Sequence, residues 1–85
     1  MKLLFCKHCA DVFSLTFKER SCSCKAARGA YEPDGVNAWH KGGIPLRFNN
    51  MSFVNALSLQ PEKGKGYRFE AFVIPKQCNT FLEKE

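Results

Sequence analysis

The chain has 85 residues, a formal net charge of +5 and five cysteines, and 45% of its residues are hydrophobic. A chain this short buries only about 60% of the surface that its unfolded form exposes, so we expect a single domain whose small core is supplemented by a metal. The apolar run at residues 1–5 is too brief for an export leader or a membrane span. This predicts a cytoplasmic protein without membrane association, where clustered thiols bind metal more often than they form disulfides.

Four of the five cysteines form two close pairs, Cys6 with Cys9 and Cys22 with Cys24. Each spacing lets a sharp turn direct two sulfurs at one point, and tetrahedral Zn²⁺ binds four thiolates at ~2.3 Å. The pattern therefore predicts a structural zinc site in a zinc ribbon. Four thiolates leave no coordination position for water, which argues against catalytic zinc. His8 and His40 are weaker candidates as ligands.

The arm between the two pairs, residues 10–21, is long enough for a strand, a bend and a return to the metal. Apolar and polar residues alternate within it, which predicts a strand with one apolar face formed by Phe13, Leu15 and Phe17. Glycine commonly follows the second cysteine of a zinc knuckle, where the backbone turns back. Ala10 and Lys25 occupy those two positions here.

Basic residues are concentrated near the cysteines. Residues 1–28 contain six basic and two acidic side chains. Four thiolates around one Zn²⁺ carry a net charge of −2, which lowers the charge of the chain from +5 to about +3. Much of the basic excess offsets the cluster, so the charge permits a nucleic-acid partner without requiring one.

Beyond the ribbon, turn formers separate two predicted strands. Asp34-Gly35 and Gly42-Gly43 are hairpin signals, and they predict an antiparallel meander of strands 36–40 and 44–48. Pro45 cannot donate to a ladder, which places the second strand at a sheet edge or introduces a bulge. The inward-facing residues of that strand are then Ile44, Leu46 and Phe48, with Arg47 facing outward.

A helix of about ten residues follows, with an N-cap at Asn49 or Asn50 and an end before Pro61. Its apolar stripe consists of Phe53, Val54 and Leu57. Residues 67–74 give the strongest strand signal in the chain, for a strand that begins at a sheet margin and ends covered on both faces. The segment at residues 78–82 is expected to fold back and bury Phe81 and Leu82.

These elements predict a small α+β protein in which an N-terminal zinc ribbon packs with an antiparallel β-meander and one α-helix. Residues 1–85 form a single domain in this interpretation. It comprises a zinc-ribbon lobe at residues 1–28 and a ββαβ-like lobe with a C-terminal tail at residues 29–85.

A series of motifs spans nearly the whole chain. Cys-x-x-Cys is followed by residues 11–15, by Cys-x-Cys, by a Gly-x-Tyr with Asp-Gly behind it, and by residues 68–76. This order resembles a poorly characterised family of small zinc-ribbon proteins encoded by bacteriophages and bacteria. The resemblance implies an accessory phage protein in the host cytoplasm, and it implies no established activity.

The sequence does not favour an enzyme. Catalysis would need a nucleophile beside a base, or paired carboxylates in a cleft, whereas the acidic residues are scattered among basic neighbours. Cys78 is the remaining thiol and could pair with His40, but a lone buried cysteine more often packs as a small hydrophobic residue.

Two functions from different classes stay open. In the first, a non-catalytic module contacts a host protein or nucleic acid through Trp39, Lys41, Arg47 and Arg68, although a core position is the favoured interpretation for Trp39. In the second, a pocket between helix and sheet binds a small anionic nucleotide or signalling metabolite through Lys63, Lys65 and Arg68. The segment containing Lys63 and Lys65 also has the ordinary composition of a solvated turn. Homo-oligomerisation through an edge strand is open as well.

Overall fold

A computed structural model describes residues 1–84. Within that range the chain forms eight strands and one helix: β1 (Lys2–Phe5), β2 (Val12–Ser14), β3 (Arg20–Ser21), β4 (Arg28–Tyr31), β5 (Ala38–Lys41), β6 (Ile44–Phe48), α1 (Asn50–Ser58), β7 (Ala71–Val73) and β8 (Phe81–Glu83).

The strands form two four-stranded sheets, which make this a small α+β protein. The first sheet has the order β2-β1-β6-β7 and is antiparallel throughout. The second has the order β3-β4-β5-β8, and β8 pairs with β5 in parallel. Both sheets combine strands from before and after residue 28, and β4 itself begins at Arg28. The boundary expected at residue 28 therefore does not separate two structural units.

The hydrophobic core is continuous with the cysteine cluster. Leu4 on β1 is fully buried and Phe81 on β8 is 2% exposed. Gly29 on β4 allows close packing, because a Cβ there would lie 3.2 Å from Leu4 Cδ1. The same cluster of buried residues includes Cys6 and Cys22. Two of the four paired cysteines, Cys6 and Cys22, thus belong to the main core.

One predicted hairpin is confirmed and the other is wrong. β4 and β5 pair across the Asp34-Gly35 turn, where the Asp34 carboxylate accepts hydrogen bonds from the backbone N–H groups of Val36 and Asn37, both at 2.9 Å. The Gly42-Gly43 turn instead carries the chain from β5 in the second sheet to β6 in the first. Both glycines have positive φ, 69° and 75°. They pass so close to residues 26 and 27 that only glycine fits.

Pro45 lies in an interior strand, since β6 is flanked by β1 and β7, so the expected edge position is wrong. The carbonyl of Pro45 points towards β7 and accepts a hydrogen bond from Ile74 N at 2.9 Å. In an antiparallel ladder, the N–H and the C=O of one residue point towards the same neighbouring strand. The N–H that Pro45 lacks would therefore also point towards β7. It would lie just beyond the last residue of β7, where the ladder requires no hydrogen bond.

The apolar face of β6 does not point at the main core. Ile44 pairs with Phe5 and Leu46 with Leu3, whereas Pro45 pairs with the buried Leu4. Directly opposed residues share a face, so Ile44, Leu46 and Phe48 lie on the face opposite Leu4. The rings of Phe48 and Phe53 are 5.2 Å apart, which places the helix on that side.

Helix α1 has the predicted cap but a narrower buried face. Asn49 Oδ1 accepts a hydrogen bond from Ser52 N at 3.1 Å. Phe53 packs against Phe48 and Phe69, and Ala56 is buried, but Val54 and Leu57 are 63% and 59% exposed. Of the three residues predicted to form the apolar stripe, only Phe53 is therefore confirmed.

The strand predicted at residues 67–74 is reduced to β7, an edge strand of three exposed residues, and only Ile74 is buried. The pairing with β6 ends at the preceding residue, whose backbone bonds to the start of the helix. Glu70 O accepts from Asn49 N at 2.9 Å, and Glu70 N donates to Ser52 Oγ at 3.0 Å. The final segment folds back as expected with Phe81 buried, but Leu82 is 56% exposed.

Candidate metal centre

The four paired cysteines converge on one point. The sulfurs of Cys6, Cys9, Cys22 and Cys24 all lie within 4.8 Å of one another. Cys24 Sγ is 3.6 Å from Cys6 Sγ and 3.6 Å from Cys22 Sγ. Four sulfurs at ~2.3 Å from a tetrahedral zinc would be ~3.8 Å apart. The cluster is therefore suited to hold a single metal ion.

Two similar turns, here called the first and second knuckles, present these sulfurs. In the first, Ala10 N donates to Cys6 O at 2.8 Å and Cys6 N donates to Asp11 O at 2.9 Å. In the second, Lys25 N donates to Cys22 O at 3.1 Å and Cys22 N donates to Ala27 O at 3.0 Å. Ala10 and Lys25 have φ values of 59° and 65°. Both knuckles thus adopt the backbone conformation that glycine usually supplies.

The surroundings of the sulfurs differ between the inner and outer ligands. Cys6 and Cys22 are buried, Cys9 is half-buried and Cys24 is exposed. Ala27 N donates to Cys22 Sγ at 3.4 Å. The Asp11 carboxylate accepts from Ser23 N at 3.3 Å and so joins the two knuckles. The Ala27 N–H favours the thiolate form of Cys22 and holds that ligand in place.

The thiols have contrasting acidities. Hydrogen bonds from the Ser23 side chain and the Cys24 backbone lower the pKa of Cys9 to about 6. The Ala26 N–H lowers the pKa of Cys24, but the hydrogen bond with Cys6, desolvation and the other neighbouring thiols outweigh it and raise that pKa to about 12. A divalent cation would remove this contrast, because it stabilises every coordinating thiolate.

Neither histidine joins this cluster. Among residues 1–84, the grouping that could hold a metal consists of the four cysteines. His40 Nδ1 lies 3.0 Å from Gly42 O, and His8 is exposed. Cys78 is also separate: its sulfur is 3.5 Å from Thr80 Oγ1, and a hydrogen bond from Thr80 lowers its pKa.

Trp39 and Lys41 lie together on one face of the second sheet. Trp39 is half-buried and Lys41 is exposed. Arg28 is paired with Lys41, and Leu82 with Trp39, so these residues share that face. Lys84 Nζ is 4.6 Å from the centre of the Trp39 ring. We call the set Arg28, Trp39, Lys41, Leu82 and Lys84 the outer face of the second sheet.

Sequence reasoning missed Arg28, Leu82 and Lys84 as members of this face. They reach it through strand pairing, and the parallel pairing of β8 with β5 leaves no local signal in the sequence. Part of the positive charge of this face is neutralised, because Arg28 Nη1 lies 3.8 Å from Glu19 Oε2.

The remaining predicted contact residues lie elsewhere. Arg47 is exposed on the first sheet, 4.5 Å from the centre of the Phe72 ring. Lys63, Lys65 and Arg68 are exposed in the segment between α1 and β7. Lys65 and Arg68 line one cavity of 860 Å³ with Ser52, Asn55 and Tyr67, and Lys63 lines a neighbouring cavity of 320 Å³. The structure therefore brings Lys65 and Arg68 together beside the helix.

Comparison of the chain with protein-family models, curated proteins and solved structures finds no match. Within residues 1–84, no helix has both the length and the apolarity needed to cross a membrane.

Proposed function

We propose that the protein is a zinc-stabilised, non-catalytic binding module that contacts single-stranded nucleic acid through the outer face of the second sheet. The resemblance to phage-encoded zinc-ribbon proteins supports a role as an accessory protein in the host cytoplasm. Zinc has a structural role in this proposal, because four thiolates complete its coordination shell.

The observation that carries the proposal is the arrangement around Trp39. Its ring is flanked by Lys84 at 4.6 Å, and Lys41 and Arg28 follow on the same face. Aromatic rings provide stacking platforms for bases, and neighbouring cations track the phosphate backbone. The exposed Leu82 beside Trp39 extends the apolar part of the face.

Native mass spectrometry with and without a chelator tests the metal and counts the chains per assembly. One Zn²⁺ per chain is expected, and fully folded, metal-free protein as purified would contradict the proposal. The zinc-loaded chain is then titrated with a single-stranded oligonucleotide across a salt series. Trp39 is the only tryptophan in the sequence, so quenching of its fluorescence reports stacking directly.

The expected logarithmic slope of affinity against salt is about −0.7 per phosphate neutralised. Replacing both Lys41 and Lys84 with Gln should reduce that slope by about 1.4, whereas the matched change at Lys63 and Lys65 should leave it unchanged. An affinity that does not vary with salt, or binding that leaves Trp39 fluorescence unaltered, would count against nucleic acid as the partner and favour a protein.

A second candidate function is supported by the 860 Å³ cavity beside the helix. Its lining includes Lys65 and Arg68, with Tyr67 and Phe69 as aromatic surfaces, a combination suited to a small anionic nucleotide. A nucleotide specific for the folded state raises the melting temperature. The gain should disappear when Lys65 and Arg68 are replaced by Gln and persist when Lys41 and Lys84 are replaced.

A further inference from the structure

A cleft between the margins of the two sheets is used by neither proposed function. It has a volume of 520 Å³, within the range of small-molecule sites. Its apolar wall consists of Ile44, Pro45 and Val73. Four titratable side chains complete the lining: Lys7, His40, Lys76 and Glu83.

One ring nitrogen of His40 has no hydrogen-bond partner in the part of the chain that the structure describes. The side chain is 5% exposed, and Nδ1 lies 3.0 Å from the carbonyl oxygen of Gly42. A carbonyl only accepts, so Nδ1 carries the hydrogen and donates, which leaves Nε2 of the neutral ring as an acceptor. Within the described residues, no buried side-chain nitrogen or oxygen lacks a hydrogen-bond partner. Nε2 has no hydrogen-bond partner among residues 1–84, so it is not one of the buried atoms and is accessible from the cleft that the ring lines.

Glu83 adds a second acceptor beside the first. Strand pairing places Glu83 directly opposite His40 on the same face of the second sheet. The hydrogen bond from Lys84 N to His40 O, at 2.7 Å, fixes this register. A carboxylate and an imidazole lone pair together repel an anion that has no hydrogen to donate, and they attract one that does.

The other walls of the cleft supply positively charged side chains. Lys7 belongs to the first knuckle, and Lys76 follows β7. Two ammonium groups and one carboxylate leave the cleft with an excess positive charge while His40 is neutral. The lining therefore combines attraction for an anion with a requirement for an acidic hydrogen.

We propose that this cleft binds a small oxyanion that retains a hydroxyl hydrogen, of the class of hydrogen phosphate. Lys7 and Lys76 hold its charged oxygens, and His40 Nε2 and Glu83 accept its hydrogen. Sulfate has similar size and shape but carries no hydrogen at neutral pH, so it is the matched probe. The site is separate from the outer face of the second sheet, since His40 and Trp39 are adjacent residues of one strand and point to opposite faces.

The test is a titration of the zinc-loaded, ¹⁵N-labelled chain with inorganic phosphate and with sulfate at equal ionic strength. The His40 imidazole and the Lys84 backbone amide are followed by NMR. Phosphate should produce saturable shifts at both positions, and sulfate should bind at least about tenfold more weakly, because a site built to accept a hydrogen bond rejects an analogue without the donor. Shifts that do not saturate with phosphate, or equal affinities for the two anions, would overturn the proposal.

Two variants assign the roles of the charged residues. Lys76→Gln should weaken phosphate binding about tenfold through loss of one charge-assisted contact, whereas Lys63→Gln, the same charge change outside the cleft, should not. Glu83→Gln offers an amide donor to sulfate, so the preference for phosphate should fall to within about threefold. The NMR spectrum of each variant shows whether it is folded. An unchanged preference in Glu83→Gln, or equal affinities in Lys76→Gln and Lys63→Gln, would contradict the assignment.

Discussion

Ala10 and Lys25 occupy equivalent positions in the two knuckles, and both have a left-handed backbone conformation, with φ of 59° and 65°. Each residue directly follows the second cysteine of its pair. The left-handed region costs a residue with a Cβ roughly 1–2 kcal/mol. The convergence of the four cysteines therefore holds Ala10 and Lys25 in a strained backbone conformation, and glycine at either position would relieve that strain.

Ala10→Gly and Lys25→Gly should each stabilise the metal-loaded protein. Relief of strain exceeds the added entropy of the unfolded chain, about 0.4–1 kcal/mol, so we expect a gain of about 0.5–1 kcal/mol and a rise in melting temperature of a few degrees. Thermal unfolding followed by circular dichroism measures this. Ala26→Gly is the control: the φ of Ala26 is not positive, so it should lower the melting temperature. A loss of stability in both knuckle variants would refute the strain argument.

Gly43→Ala should be markedly more destabilising than Gly64→Ala. Both glycines have positive φ, 75° and 94°. A Cβ at Gly43 would lie 2.8 Å from Ala27 Cβ, whereas a Cβ at Gly64 has no heavy atom within 4 Å. Backbone strain should cost each variant about 1 kcal/mol, and overpacking should add about 1–3 kcal/mol at Gly43. Urea unfolding of the two variants gives the difference, and equal losses would show that the close approach is tolerated.

The sequence was informative where the interactions are local. The spacing of the cysteines, the N-cap at Asn49 and the Asp34-Gly35 turn depend on residues close in the chain, and their side chains act on nearby backbone groups. Those features are present in the structure. The convergence of the four sulfurs could therefore be predicted from sequence.

The errors concern strand partners, which local patterns do not encode. Gly42-Gly43 has the composition of a hairpin turn, but residues 26 and 27 lie beneath it and β6 joins the other sheet. Residues 67–70 have an alternating pattern typical of a strand, but Glu70 bonds to the start of the helix. Only two of the five residues on the outer face of the second sheet were recognised, because Arg28 reaches it by pairing with β5 and Leu82 and Lys84 reach it through the parallel β8.

Phe53→Ala should destabilise the protein, whereas Val54→Ala should have little effect. Phe53 lies 5.2 Å from Phe48 and 4.9 Å from Phe69, measured between ring centres. Val54 is 63% exposed. Because Phe53 is only half-buried, its truncation should cost less than the 3–5 kcal/mol of a full core position, about 2 kcal/mol, and Val54→Ala should stay within about 0.5 kcal/mol. Denaturant unfolding measures both values. Equal losses of stability in the two variants would show that the exposed side of the helix, which includes Val54, also contributes to packing.

Chelation of the metal should unfold both sheets and not only residues 1–28. Cys6 and Cys22 belong to the same buried cluster as Leu4 and Phe81, and Gly42 and Gly43 pass directly over residues 26 and 27. Apparent zinc-binding free energies of about 10–16 kcal/mol in small zinc domains match or exceed the 5–15 kcal/mol stability of a typical domain. Loss of a structural zinc at this site would therefore remove enough free energy to unfold the whole core.

Hydrogen exchange with and without chelator measures the extent of this unfolding. Amides of β5 and β6 should lose protection together with those of β1 and β4. Cys24→Ser should reproduce the effect by removing one thiolate, whereas Cys78→Ser, the same substitution outside the cluster, should retain protection. Exchange confined to residues 1–28 after chelation would mean that the second half of the chain holds its strands without the metal. That outcome would contradict the structure, in which Leu4, Cys22 and Phe81 share one core.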